Sequence, residues 1–289
     1  MEKAPSESSQ AKRFCESKDS VSATETPLAS APSMERTQPS LKDSALPPNS
    51  PSIEGGGTGG GSLEGWGGSP LRAVLFDMDG VLYDSMPSHA KAWHRAMADF
   101  GYDLPEQEAY MHEGRTGAST INIVSSRQRG IEESEERIQE IYKVKSAYFN
   151  EYPPAKPMPG ALELLRKIKN QGLKILIVTG SGQLSLLDRL NHHFPEIFCR
   201  ELMVTAFDVK QGKPNPEPYL MGMQKGGLTP EECIVVENAP LGVRAAKAAG
   251  IFTIAVNTGP LSNNVLTDEG ADMLFPSMQA LCDAWDTLY

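Results

Sequence analysis

Short apolar runs with the character of β-strands alternate with helical patterns along the chain after about residue 70. The runs centre near residues 73, 175, 203, 235 and 254, and segments with helical periodicity separate them. Strands that alternate with helices pair in parallel, and the connecting helices cover both faces of the sheet. The sequence therefore predicts an α/β fold built on a doubly wound parallel sheet.

The helical patterns also predict how the chain is divided into domains. They fall at 87–100, 119–129, 134–149, 161–170, 183–191, 216–225 and 241–249. The first three have no strand between them and end at the chain-breaking PPAKPMPG stretch, so we expect a helical insert over 86–156 and a sheet domain from 71–85 and 157–289. Residues 1–70 are rich in Ser, Pro, Thr and Gly, and we expect them to be disordered because they offer little apolar surface to bury.

Composition limits the possible partners. The net charge is −10, from 27 basic and 37 acidic residues, which argues against a nucleic-acid partner because that needs a basic face. The four cysteines form no C-x-x-C pair, so neither a zinc site nor a disulfide framework is indicated. No apolar run is long enough to span a membrane, and the first residues lack the apolar core of a signal peptide. We expect a cytoplasmic protein, a monomer, whose partner is a small molecule.

Two carboxylates follow the first apolar run directly, in the sequence LRAVLFDMDGVLYDS. Asp77 ends the run, Asp79 comes two residues later, and Gly80 follows where the backbone must turn. We expect both carboxylates to be exposed at the strand tip, where one could attack phosphorus while the other handles the proton of the leaving group. The alternative is an ordinary acidic turn, which does not explain why two acids follow four apolar residues.

Polar groups also follow two later predicted strands. Thr179 and Ser181 follow the second strand, Glu237 and Asn238 follow the fourth, and Lys213 precedes a helix that a proline opens. Each motif alone is common in turns, loops or helix caps. In a doubly wound sheet, however, ligands bind at the carboxyl ends of the strands, so these groups are expected to converge.

The order D-x-D-G, T-G-S, K-P-x-P and then an acidic pair resembles the haloacid dehalogenase superfamily of aspartyl-phosphate enzymes. The helical insert after the first motif resembles the cap of its β-phosphoglucomutase-like branch. The resemblance covers the chain from about residue 71 to its end and leaves residues 1–70 uncovered. It implies a Rossmann-like core, a mobile helical cap and Mg²⁺ as cofactor.

The resemblance also implies roles for the residues of the motifs. Asp77 would be the nucleophile, and Asp79 would protonate the leaving group and then activate water. Thr179, Gly180 and Lys213 would hold the phosphoryl oxygens, as a hydroxyl, a main-chain amide and a point charge suited to phosphate. Because the dehalogenases of the superfamily replace the second aspartate, the presence of Asp79 favours phosphoryl transfer.

The implied metal site departs from the family pattern at one position. Mg²⁺ would lie between the Asp77 carboxylate, the Asp79 main-chain carbonyl and the pair Glu237 and Asn238, which offer the oxygen ligands this ion prefers. The family commonly has Glu-Asp where this chain has Glu237-Asn238. The asparagine keeps an oxygen but removes a negative charge, so we expect weaker metal binding or heavier reliance on Glu237.

Substrate specificity is expected from the cap, because the core holds only the phosphoryl group that all members share. His89 and Lys145 lie where mutases of this branch carry a histidine and a lysine, and the alternative for each is an exposed side chain on a helix. Glu113 and Arg115 lie in the sequence EGRTG, whose glycines indicate a tight loop that presents both. We expect Glu113 to bind metal or a substrate hydroxyl.

Together these motifs predict a Mg²⁺-dependent phosphohydrolase that works through an aspartyl phosphate. The EGRTGAST and ENAPLG sequences resemble pyrophosphatase-type hydrolases of the branch, so inorganic pyrophosphate is the first candidate substrate and a phosphorylated sugar the second. The alternative function is β-phosphoglucomutase, an isomerase. Against it, the chain lacks the longer lysine-and-arginine loop with which those mutases grip a second phosphate.

Overall fold

The computed structural model describes residues 70–181 and 184–289. Six parallel strands form one sheet in the order β3-β2-β1-β4-β5-β6. They are β1 (Ala73–Phe76), β2 (Lys174–Val178), β3 (Met203–Val204), β4 (Cys233–Glu237), β5 (Phe252–Val256) and β6 (Met273–Phe275). The predicted α/β class with a Rossmann-like parallel core is confirmed. The disorder predicted for residues 1–70 lies outside the described residues, except for the last of them.

Side chains of β1 alternate between two apolar layers, one on each face of the sheet. Val74 and Phe76 join a large cluster with residues of α5 (Ala161–Asn170) and α10 (Met278–Leu288). Ala73 and Leu75 join a second cluster on the opposite face, built with residues of α7 (Glu217–Gly226) and α8 (Pro240–Ala248). Because helices cover both faces, β1 is buried along its whole length, as expected of a central parallel strand.

The register of the sheet brings the ends of three strands together. Phe76, the last residue of β1, pairs with Ile177 of β2 on one side and with Val236 of β4 on the other. Because all three strands run in the same direction, the residues that follow them project from one edge of the sheet. This edge carries Asp77, Thr179 and the end of β4.

Four helices lie between β1 and α5. They are α1 (Met86–Asp99), α2 (Glu106–Met111), α3 (Gly117–Arg129) and α4 (Glu135–Glu151), and they share an apolar cluster of their own that includes Met97, Ile121 and Ile141. We call residues 86–156 the cap. Its two connections to the sheet run side by side, since the amide of Asp84 donates to the Lys156 carbonyl at 2.9 Å. The cap boundaries as a separate domain remain a prediction.

Several elements differ from those predicted. The helix predicted over 119–129 begins at Gly117, because the Thr116 hydroxyl caps it by accepting from the Ser119 amide at 3.3 Å. The strand predicted over 201–205 is only β3, preceded by a 3₁₀ turn at Arg200–Leu202. The sequence reading did not predict α2, β6, α9 (Asn263–Thr267) or α10, whereas α6 (Leu184–His193) lies within two residues of its predicted position.

Two features of the structure concern the membrane span and the cysteine sites that the sequence argued against. Within the described ranges, no helix is both long enough and apolar enough to cross a membrane. Cys233 and Cys282 are buried free thiols, which fits their place in the apolar layers on the two faces of the sheet.

Candidate active site

The centre of the site is an ionic cluster at the shared edge of the sheet. The Lys213 ammonium donates hydrogen bonds to the Asp77 carboxylate, to Glu237 Oε1 at 2.6 Å and to the Val178 carbonyl at 3.0 Å. All three charged side chains are buried. Burial raises the pKa of Asp77 to about 8 against the opposing pull of Lys213, and the Glu237 and Asp79 charges raise it further.

The two aspartates after β1 are buried, which corrects the prediction that they are exposed at a strand tip. Asp77 is 3% exposed and Asp79 is 8% exposed. The cap covers this end of the sheet, and partners from both parts of the molecule compensate the charges. A strand-tip carboxylate can be buried here because a cation or a hydroxyl donor faces each one.

Asp79 is held by side chains of the cap connection and of α1. The Ser85 hydroxyl donates to Asp79 Oδ1 at 2.5 Å, and His89 Nε2 lies 3.3 Å from the same oxygen. Burial acts to raise the pKa of Asp79, but His89, the Ser85 hydrogen bond and the charge of Lys145 outweigh it and keep this pKa below its ordinary value. Asp79 is therefore oriented beside Asp77 without being paired to Lys213.

Lys145 lies behind His89 and is as fully buried as the aspartates. Its Nζ lies 2.7 Å from His89 Nδ1; an ammonium can only donate, so with Lys145 charged a neutral His89 carries its proton on Nε2, which faces Asp79 at 3.3 Å. The ring of His89 stacks on Phe149 with centroids 4.1 Å apart. Burial lowers the pKa of Lys145 to about 7 against the pull of Asp79. Neither His89 nor Lys145 is the exposed helix side chain that was the alternative for each.

The cap loop, residues 113–117, lies directly on the core. Glu113 is buried, and its Oε1 accepts from Asn238 Nδ2 at 2.9 Å. A Cβ placed on Gly180 would lie 2.6 Å from the Gly114 carbonyl oxygen, so the cap loop meets the segment after β2 backbone to backbone. Burial and the charge of Asp77 raise the pKa of Glu113 well above its ordinary range. The structure thus brings the predicted Glu113 to the predicted Asn238.

A small cavity of about 60 Å³ remains between the cap and the core. The core contributes Asp77, Asp79, Thr179, Gly180 and Ser181 to its lining, and the cap contributes His89, Trp93, Glu113, Arg115, Tyr142 and Lys145 among others. Arg115 is only partly buried, but its Nε is buried and has no hydrogen-bond partner within the described residues. Every predicted phosphate-binding and cap residue therefore borders this cavity, except Lys213, which lies beneath it and contacts Asp77.

The oxygen donors at this edge of the cavity, together with Asn238 beside Glu113, fit a hard cation such as Mg²⁺. Asn238 Oδ1 is buried and lacks a hydrogen-bond partner in the described part of the chain, while Asp77 and Glu113 add carboxylates nearby. Across residues 70–181 and 184–289, no three His, Cys, Asp or Glu side chains converge as a complete metal cage. Mg²⁺ does not require one, because it is usually bound through one or two carboxylates and keeps several waters.

Two residues of this site were not found from the sequence. Ser85 was read only as part of the segment before α1, and its role depends on a turn that brings it back to Asp79, six positions earlier. Tyr219 lies on the helix that follows Lys213, and its hydroxyl donates to Glu237 Oε1 at 2.8 Å. A buried tyrosine usually needs a partner for its hydroxyl, but the sequence does not indicate which one.

The family profile of haloacid dehalogenase-like hydrolases matches residues 74–256, which is more than half of the chain and includes every residue of the site. The chain belongs to the haloacid dehalogenase-like hydrolase family. The predicted membership is thereby confirmed, and the matched range contains the cluster of Asp77, Lys213 and Glu237.

Relatives within the haloacid dehalogenase-like hydrolases include phosphatases. Hexitol phosphatase A of Escherichia coli is 36% identical over 186 residues, covering 64% of this chain and 83% of that protein. A phosphorylated carbohydrates phosphatase of Thermotoga maritima is 32% identical over 184 residues, covering 64% and 84%. A solved structure from Bacteroides vulgatus, provisionally assigned as a beta-phosphoglucomutase, is 64% identical with a TM-score of 0.74, covering 75% of this chain and 88% of that one.

Proposed function

We propose that this protein is a Mg²⁺-dependent phosphohydrolase that works through an aspartyl phosphate on Asp77. The observation that carries the proposal is the placing of Asp77 and Asp79 side by side on one small cavity, with Lys213 bonded to the first and Ser85 to the second. A nucleophilic carboxylate and a separate carboxylate for proton transfer are what this chemistry needs.

In the first step the proton that Asp77 holds in the metal-free protein would pass to Asp79, whose carboxyl lines the same cavity. An oxygen of the ionised Asp77 then attacks phosphorus, and the bond from phosphorus to the leaving oxygen breaks. Asp79 gives its proton to that oxygen, and His89 and Ser85 keep the Asp79 carboxyl in place. In the second step Asp79 takes a proton from water, the water oxygen attacks phosphorus, and the bond to Asp77 breaks to release phosphate. Asp77 and Asp79 end in the states from which the attack on phosphorus began, so the cycle is balanced.

The phosphoryl oxygens would be held by Thr179, Gly180 and Lys213 throughout. Mg²⁺ would be held by Asp77, the Asp79 main-chain carbonyl and Asn238, with Glu113 supplying from the cap the carboxylate that Asn238 lacks. Glu237 was expected with them, but its Oε1 already accepts from Lys213 and Tyr219. The bound ion would supply positive charge to the phosphoryl oxygens. Because Glu113 belongs to the cap loop, full metal binding would require the cap in its present position.

Inorganic pyrophosphate is the substrate that we propose first. A cavity of about 60 Å³ beneath a cap loop in backbone contact with the core favours a compact leaving group. Arg115 borders the cavity with an unpaired buried nitrogen that would donate to the leaving phosphate. Phosphorylated sugars are the second candidate, since the curated relatives named above act on hexitol phosphates and phosphorylated carbohydrates.

A phosphate-release screen with Mg²⁺ tests the proposal. We expect faster release from pyrophosphate than from sugar phosphates, and slower formation of glucose 6-phosphate from β-glucose 1-phosphate than either. Arg115→Ala should raise KM for pyrophosphate, with Arg127→Ala, on the outer side of the cap, as the control. Efficient isomerisation with negligible phosphate release would instead favour the mutase. We also propose a cytoplasmic monomer, which size-exclusion chromatography and cell fractionation test.

A further inference from the structure

Glu237 has no free position at which to bind a metal ion. Its Oε1 accepts from Lys213 Nζ at 2.6 Å and from the Tyr219 hydroxyl at 2.8 Å. Its Oε2 accepts from the main-chain amides of Asn238 at 2.9 Å and Ala239 at 3.1 Å. A carboxylate offers about four lone-pair sites, so protein donors fill all of them.

The backbone around Glu237 also fixes the position of its carboxylate. The side chain is fully buried against the first turn of α8. A Cβ placed on Gly242 would lie 1.7 Å from Glu237 Oε1, so the carboxylate occupies the space that any larger residue in this turn would fill. Turning the carboxylate toward a metal ion would break two main-chain hydrogen bonds in a fully buried site, which is costly.

Tyr219 connects this fixed carboxylate to Lys213. It lies on α7, six positions after Lys213, and both residues donate to the same oxygen of Glu237. The Lys213 ammonium also lies 5.1 Å from the centre of the Tyr219 ring. Tyr219 is completely buried, and it is not one of the residues that line the cavity. Its position suits a residue that acts through its neighbours.

We propose that Tyr219 is a positioning residue that locks Glu237 as the counter-ion of Lys213, and that Glu237 is therefore not a ligand of the metal ion. Lys213 is then held at one fixed point between Glu237 and Asp77, ready to meet the phosphoryl oxygens. This inference rests on the proposed function for the role of Lys213. The part that concerns metal ligation does not depend on it.

Kinetics of Tyr219→Phe test the positioning role, because this change removes one hydroxyl and keeps the ring. We expect kcat for phosphate release to fall roughly tenfold, as for the loss of one hydrogen bond to a charged group, with KM unchanged because Lys213 keeps its charge. The double variant Tyr219→Phe/Glu237→Gln should be no slower than Glu237→Gln alone, since Tyr219 acts only through Glu237.

Tyr83→Phe is the matched control for these kinetics. Tyr83 is also completely buried, and its hydroxyl lies 3.2 Å from His193 Nδ1, away from the cavity. Both variants should lose some thermal stability, but only Tyr219→Phe should lower kcat. A kcat for Tyr219→Phe equal to that of Tyr83→Phe, or independent losses in the double variant, would overturn the positioning role.

Counting the waters on bound Mn²⁺ tests the part about ligation without any substrate. In EPR spectra recorded in ¹⁷O-labelled water, each lost protein ligand adds one water to the ion. We expect Asn238→Ala to gain a water and Glu237→Ala to match the wild type. A water gained by Glu237→Ala would make Glu237 a ligand and overturn the proposal. If the wild type binds Mn²⁺ but releases no phosphate, the proposed function fails, and the water count still tests whether Glu237 is a ligand.

Discussion

At the scale of single residues, the site is a balance of buried charges. Lys213 is one cation facing the carboxylates of Asp77 and Glu237, and these two carboxylates raise its pKa even though burial would lower it. Glu113 adds a further buried acid from the cap, and the Asn238 amide is its hydrogen-bond partner. When Asp77 and Glu113 release the protons that their raised pKa values let them hold, the site gains an excess of negative charge that a divalent cation would offset. Substitutions that alter charge here should therefore separate metal binding from catalysis.

Asp77→Asn should abolish phosphate release and leave the fold intact. The amide keeps the shape of the side chain but cannot attack phosphorus. Asp79→Asn should slow release by roughly 10²–10⁴-fold, because it removes the proton carrier but keeps the nucleophile. Phosphate release measured beside thermal unfolding checks both variants. Near-native release by Asp77→Asn would refute an aspartyl-phosphate mechanism.

Asn238→Asp should tighten Mg²⁺ binding by about tenfold or more, because it adds a charged ligand to the site. Without metal the same variant should unfold at a lower temperature than the wild type, since the new carboxylate loses the donor to Glu113 and repels it instead. Calorimetric titration with Mg²⁺ and melting curves with a chelator measure the two effects. Asn238→Ala is the control, and it should weaken Mg²⁺ binding.

At the scale of elements, the sequence predicts the strands that carry the site better than the short strands and the contacts between elements. The runs that form β1, β2 and β4 are continuous and apolar, so their ends could be read together with Asp77, Thr179 and Glu237. The partly buried β6 has only three residues, too few for a pattern. The role of Tyr219 depends on α7 packing against β1 and β2, where its hydroxyl reaches Glu237 at the end of β4, and no spacing in the sequence encodes that approach.

Pairing of α1 with α4 brings Lys145 to His89, and Lys145→Met tests this pairing. The apolar side chain should pack among the rings of Trp93, Tyr142 and Phe149, which lie 5.2–5.7 Å from the Lys145 ammonium. The Lys145 ammonium bonds a ring nitrogen and not a carboxylate, so its removal relieves a desolvation cost of several kcal/mol per ion, against about 1–3 kcal/mol for leaving His89 Nδ1 without a donor. We expect thermal stability to be kept or raised while kcat falls roughly tenfold, since His89 loses the donor that fixes its tautomer and orientation.

The control for this variant is Lys143→Met, at an exposed position on the same helix. It should change neither kcat nor melting temperature appreciably. If Lys145→Met kept full activity, the contact with His89 would have no part in catalysis. If it unfolded the protein, Lys145 would be a structural residue of the cap.

At the scale of the whole molecule, cap and core meet through buried polar and ionisable groups. Glu113 from the cap meets Asn238 from the core, and His89 from the cap meets Asp79. The metal ion proposed between them would therefore act on the stability of the folded chain as well as on catalysis. Anything that binds the folded protein and not the unfolded chain raises its melting temperature, so this linkage can be measured.

The rise in melting temperature on adding Mg²⁺ should grow with pH. In the folded protein the pKa of Asp77 is raised to about 8, and that of Glu113 is raised in the same direction, so both hold protons that they would release in the unfolded chain. For acids with a raised pKa, the metal-free protein loses stability as pH rises from about 4 through about 8. Mg²⁺ competes with these protons, so it binds weakly at low pH and replaces lost stability at high pH.

Melting curves with Mg²⁺ or a chelator, at about pH 6 and about pH 9 and constant ionic strength, measure this difference. We expect the gain from Mg²⁺ to be several-fold larger at the higher pH, as for a ligand that must displace protons to bind. In Asp77→Asn the dependence on pH should shrink, because one of the two titrating acids is gone. An equal or smaller gain at the higher pH would mean that the ion does not bind beside these buried carboxylates, because an ion bound there must displace their protons.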